Sequence, residues 1–156
     1  FSGGKLLSLD DYNYSFVPEI KVKETTSFVV QVQGEVGAAI GLFPDIKTTF
    51  AGQNFYEFVL GTSSNLAVFR KVGGGTNLAS GSLTLDRLKY LKFWLSWADH
   101  TFSLGSGYEV GQNVILTYKD TANQMAINYM AFSSSAGYNT KYVYYNGKPA
   151  GTLLSS

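Results

Sequence analysis

The side chains able to carry out chemistry are few. His100 is the single histidine and there is no cysteine, so any imidazole general base or Ser-His-Asp arrangement has to use this one ring. Asp99 stands beside it, but sequence neighbours in a turn do not face each other as members of a triad must. A solvated turn histidine is therefore expected rather than a catalytic one. One His and no Cys also deprive a transition metal of its main ligands. Calcium needs only oxygens, which Asp10, Asp11, Asp45, Asp99 and Asp120 could supply, yet no Asp-x-Asp-x-Asp loop organises them. No cofactor is expected, and calcium is the one ion left open. Eleven scattered acids neither establish nor exclude the facing carboxylate pair of a glycoside hydrolase.

Gly73-Gly74-Gly75 invites a nucleotide reading, but phosphate-cradling loops present N–H groups at the start of a helix that follows a strand. The residues that follow, Thr76-Asn77-Leu78-Ala79-Ser80-Gly81, have no helical period, so a hairpin loop is expected. The same reasoning removes a methyl-donor site of the Rossmann type, and no enzyme activity is expected. Aromatic and polar residues near loops remain: Tyr138, Asn139 and Tyr142 follow the small-residue run Ser133-Ser134-Ser135-Ala136-Gly137. Rings that stack on an apolar ligand face, beside amides and charges that hydrogen-bond hydroxyls, equip a shallow site for a sugar or another small polar ligand. The candidate ligand-binding residues are Asn65, Arg70, Asp99, His100, Tyr138, Asn139 and Tyr142. Arg70 and the amides would donate hydrogen bonds, and the tyrosines would stack.

The elements that must position these residues read as strands. Alternation of period two recurs along the chain: Phe28, Val30 and Val32 share a face in Ser27 to Gln33, and Tyr56, Phe58 and Leu60 oppose Glu57 in Asn54 to Leu60. Leu91, Phe93, Leu95 and Trp97 oppose Lys92, Trp94 and Ser96, which leaves Trp94 on the polar side. Further strands are expected at Leu66 to Lys71, Thr101 to Leu104, Val114 to Tyr118, Met125 to Phe132 and Lys141 to Tyr145. A short helical turn is expected within Leu83 to Leu91. Asn146-Gly147 is a strong hairpin signal, because a type I′ turn needs positive φ at both positions. Short strands with frequent turns, in a chain of 156 residues with 24 aromatics and 17 glycines, predict one all-β domain: an antiparallel, jelly-roll-like β-sandwich over 1–156.

Twelve basic and eleven acidic residues give a net charge of +1, with no basic stripe for phosphates, so nucleic acid is not an expected partner. No apolar run reaches the roughly 18 residues of a membrane span. Phe1 in place of an initiating Met reads as a processed or trimmed chain, the first of which sets it in a secreted, extracellular compartment. Asn13-Tyr14-Ser15 is a glycosylation sequon.

Two blocks carry a family resemblance. Phe55-Tyr56-Glu57-Phe58-Val59-Leu60-Gly61, followed by Asn65 and Val68-Phe69-Arg70-Lys71, resembles the strand pair of the domain named after farnesoic acid O-methyltransferase. Phe93-Trp94-Leu95-Ser96-Trp97 with Phe102 to Gly107 is similar to its Phe-Trp-(apolar)-Ser-Trp strand and glycine-bearing return strand, and Tyr118-Lys119-Asp120 and Ala131-Phe132-Ser133 to its later segments. The resemblance covers about residues 10 to 145. It implies a β-sandwich common in secreted invertebrate proteins, including those of innate immunity, with ligand recognition as its role. Asp99-His100 departs from the family's usual Gly at that turn, and Tyr138 with Tyr142 from its usual Trp, so a shared ligand specificity does not follow. The leading expectation is an extracellular, lectin-like recognition module acting through loops at one end of the sandwich and self-associating for avidity. A carrier or enzyme for an apolar terpenoid, lined by Met125 and Met130 among others, is the alternative. A structural or adhesive module is the second.

Overall fold

The computed structural model describes residues 4–46, 54–72 and 76–145. Among these, twelve strands run β1 (Lys5–Leu9), β2 (Ser15–Phe16), β3 (Ser27–Gln33), β4 (Ala38–Phe43), β5 (Phe55–Leu60), β6 (Leu66–Val72), β7 (Asn77–Ser82), β8 (Leu91–Ser96), β9 (Thr101–Ser106), β10 (Val114–Lys119), β11 (Tyr129–Ser133) and β12 (Thr140–Tyr144). They form two antiparallel six-stranded sheets. The first has the order β1-β12-β3-β8-β9-β10 and the second β2-β11-β4-β5-β6-β7.

The alternating runs behave as their spacing demands. Val30, Val32, Tyr56, Phe58, Leu60, Leu95, Phe102 and Phe132 are buried between the sheets, where Phe69 stacks on Phe102 at 4.7 Å and Phe132 on Tyr142 at 4.6 Å. On one side the sandwich is closed by direct contact of β7 with β10, where a methyl group added to Gly81 would lie 2.1 Å from the Ile115 carbonyl oxygen. Only glycine admits backbone that close.

Several expectations need correction. No helix forms between Leu83 and Leu91: residues 83–90 pass as bends into β8, with Leu83 and Leu85 buried and Leu88 exposed. The strand expected from Met125 begins only at Tyr129. Trp94 is only 1% exposed, packed with Val29 and Tyr145 on the outside of the first sheet. Its indole N–H donates to the Gln112 carbonyl at 2.8 Å, so the loop after β9 roofs it. Glu57, read as a polar-face residue, is fully buried beneath the segment that precedes β2. β4 gave no alternation to read because both of its faces are covered. The glycines 73–75 and the Asn146-Gly147 turn lie outside the described residues, but β6 and β7 flank those glycines as antiparallel neighbours, not as a strand and a helix.

Candidate functional site

At one end of the sandwich, the loop after β3, the bends before β8 and the turn from β11 to β12 surround a polar cleft of about 210 Å³. The turn is rigid for local reasons. Ser134, fully buried, donates to the Tyr138 carbonyl at 2.8 Å and lies within hydrogen-bond distance of Thr140 Oγ1 at 2.7 Å, and the Tyr138 N–H donates to the Ser135 carbonyl. Gly137, at φ 85°, makes a left-handed step that a side chain would strain. The result is a Tyr138 ring left 38% exposed on a fixed backbone. Asn139 beside it donates to Ser8 Oγ at 3.3 Å. Gln33, Glu35, Arg87 and Lys141 complete the lining. Gln33 and Lys141 are register partners on β3 and β12, and the Gln33 amide donates to the Arg87 carbonyl at 2.9 Å.

The seven candidate residues separate. Tyr138 and Asn139 line this cleft. Asn65 lies at the same end, in a left-handed turn position (φ 59°) that ties β5 to β6, with its carbonyl accepting from Leu83 N–H. Asp99 and His100 sit at the opposite end, between β8 and β9. His100 is half-buried rather than a solvated turn residue: its Nε2–H donates to the Met125 carbonyl at 2.7 Å, and its ring meets Tyr56 and Phe102 edge-on. Tyr142 is fully buried, with its hydroxyl donating to the Ser133 carbonyl at 2.7 Å and accepting from Ala39 N–H at 2.9 Å.

Arg70 belongs to a different cluster on the outside of the second sheet. Its Nε donates to Glu57 Oε1 at 2.6 Å, the two being register partners on β6 and β5. Tyr12 donates to Glu57 Oε2 at 2.7 Å, and Tyr14 donates to the same oxygen. Burial and the hydrogen bond to Glu57 push the Tyr12 hydroxyl up to about 12, and burial drives Tyr14 well above the usual phenol range, so both remain protonated donors. Tyr14 also packs edge-on against Phe43 and Phe55, themselves stacked at 4.1 Å. The cluster pins the 10–14 segment over the sheet, leaving Glu57 no route to substrate.

At the far end Asp120, nearly buried, accepts from Tyr56 at 2.6 Å and lies 2.8 Å and 3.0 Å from Lys71 Nζ. Burial alone would raise its pKa, but the bonds from Lys71 and Tyr56 outweigh burial and hold it below the usual carboxylate range. A folded-state pKa below the unfolded value contributes stability above the unfolded value, and that contribution is lost as pH falls through the folded one. Asp120→Asn is expected to cost about 1–3 kcal/mol near neutrality. The difference in Tm between variant and wild type should hold above about pH 5 and shrink as pH falls below about 4; a pH-independent difference in thermal melts would refute this role. Among the described residues no group of three His, Cys, Asp or Glu side chains gathers as a metal site would require.

A second cleft of about 510 Å³ opens between the end of β7 and the start of β8, with Leu83, Leu91, Phe93 and Ile115 as its apolar lining and Tyr90 and Lys92 among its polar neighbours. Sequence reasoning named none of these, nor Gln33, Glu35, Arg87 and Lys141 of the polar cleft.

Two six-stranded antiparallel sheets packed face to face define a β-sandwich. A Bacillus subtilis protein of unknown function with a galectin-like fold superposes with a TM-score of 0.62 at 13% identity, over 91% of this chain and 84% of that one. Galectin LEC-6 of Caenorhabditis elegans superposes with a TM-score of 0.50 at 9% identity, over 88% and 94%. Within that fold the chain belongs to the family described as farnesoic acid O-methyl transferase, whose family model matches residues 10–148. No curated protein sequence matches the chain.

Proposed function

We propose that this domain is an extracellular recognition module that binds saccharides in the polar cleft without catalysing a reaction on them. The observation that carries the reading is the composition of that cleft: an exposed tyrosine ring on a rigid turn, two side-chain amides and three charged side chains around one concavity. A sugar presents an apolar C–H face to stack on a ring and hydroxyls to hydrogen-bond, and Tyr138 with Gln33 and Asn139 offers both. The likeness to a galectin concerns the fold alone, and fold does not determine function; it places the reading on a scaffold that one lectin also uses. Weak single-site affinity would be raised by self-association. Tyr138→Ala is expected to reduce affinity in a glycan-array or calorimetric measurement about tenfold, while shifting Tm little because the ring is exposed. Uniformly blank arrays at high protein concentration would sink the reading.

The 510 Å³ cleft favours a second reading, a carrier for an apolar molecule. Leu83, Leu91, Phe93 and Ile115 give it an apolar wall, and Lys92 also lines it. A ligand retained by the gently purified protein in native mass spectrometry, displaced by Leu91→Arg, would support that reading over the first.

A further inference from the structure

We propose that the ligand of the polar cleft carries a carboxylate, so that the domain selects acidic saccharides over neutral ones; this rests on the saccharide reading above. The inference comes from how charge is distributed over the first sheet. Its six strands contain Lys5, Lys92, Lys119 and Lys141 and no aspartate or glutamate. Lys5 is taken up by Glu19 at 3.4 Å. Lys141 projects from the outer face, because its neighbour Tyr142 points into the core, and it stands between Gln33 on β3 and Ser8 on β1 in register. Cross-strand partners of this kind lie side by side on one face, so the ammonium group is flanked by an amide and a hydroxyl rather than by an acid.

Arg87 comes to the same cleft from the bends before β8, held there through its own carbonyl by Gln33. Its guanidinium is therefore not needed to fix the backbone. Among the described residues neither Arg87 nor Lys141 pairs with a carboxylate. The nearby Asp86 lies 3.9 Å from Lys89 instead. A guanidinium presents a planar fork matched to a carboxylate, and an ammonium adds a point charge without directional demand. Glu35, the one acid lining the cleft, repels a second negative group and is suited to accept from a sugar hydroxyl. Two cations and one acid leave the cleft lining with one net positive charge, which a saccharide with a single carboxylate neutralises and a neutral one does not.

Calorimetry of the whole chain with sialylated and uronate-containing oligosaccharides, each compared with its own methyl ester, tests this directly, because esterification removes the charge and keeps the sugar. At least one free acid is expected to bind about tenfold more tightly than its ester. That preference should weaken between about 0.05 and 0.3 M salt as screening shortens the reach of the cations. Arg87→Met and Lys141→Met, both at exposed positions, should abolish the preference without lowering Tm. Esters or neutral sugars that bind as well as the acids would overturn this inference and leave the saccharide reading standing. No saccharide binding of either kind, with or without binding to anionic phosphatidylserine vesicles, would overturn both.

Discussion

Glu57→Ala is expected to lower the stability of the domain by about 3–5 kcal/mol, or roughly 10 °C in Tm. Of the eleven acids, Glu57 is the one placed inside a strand, and it is completely buried. What makes this tolerable is saturation: Arg70 on one oxygen, Tyr12 and Tyr14 on the other. Removing the carboxylate takes the acceptor from two phenols at once and leaves the Arg70 charge without its partner. Gly41 is the register partner on the other flank, and a methyl group there would lie 2.5 Å from the Phe43 ring and 3.0 Å from Tyr14, so the neighbours cannot relax inward to fill the gap from that side. Glu57→Gln keeps the shape and one acceptor and should fall between. Exchanging the whole polar set for apolar side chains of similar volume should recover much of the loss, since well-packed apolar groups often replace a buried ion pair at little cost. Thermal and urea unfolding of the three variants measures the series. A Glu57→Ala protein melting within about 2 °C of wild type would show that the cluster contributes nothing net.

Trp94→Ala should cost a similar amount, about 3–5 kcal/mol, although Trp94 faces away from the main core. The indole lies over Gly105, its register partner on β9, and a methyl group there would come within 2.3 Å of the ring. At Gly105 β9 therefore presents bare backbone, on which the indole rests. Val29, Tyr145 and the Gln112 carbonyl complete the enclosure. Truncation would leave a cavity and also free the 107–113 loop from its anchor, so hydrogen exchange should rise in that loop beyond the change in global stability. Unchanged exchange there, or a loss below about 1 kcal/mol, would contradict this account.

Both residues mark where sequence reasoning stopped. The inward faces of β3, β5 and β8 were legible because apolar residues recur at every second position. Glu57 and Trp94 were misplaced for one physical reason: each sheet carries a second, smaller buried layer on its outside, built from segments outside the strand itself. The 10–14 segment covers one and the 107–113 loop the other. Alternation assumes that the outward face meets water, and nothing local announces that it does not. A glycine opposite each residue, Gly41 and Gly105, was the available sign, since glycine within a strand marks close approach. In the polar cleft, Tyr138 and Asn139 were legible as ring and amide beside a small-residue turn. Gln33, Arg87 and Lys141 were not, because only the pairing of β12 and of β8 with β3, all distant in sequence, brings them to one place.

The strand order also sets a timetable for folding. Among the described residues, β1 pairs only with β12 and β2 only with β11. As the chain leaves the ribosome, both early strands must wait unpaired until the last two described strands have been synthesised. The 10–14 segment between β1 and β2 waits with them, and Glu57 loses the phenol donors that satisfy it in the finished fold. Such long-range pairing makes folding slow. Until β11 and β12 emerge, β3 and β4 are also unpaired on the sides that β12 and β11 occupy in the finished fold, and unpaired strand edges of this kind are where a β-protein is exposed to misassembly.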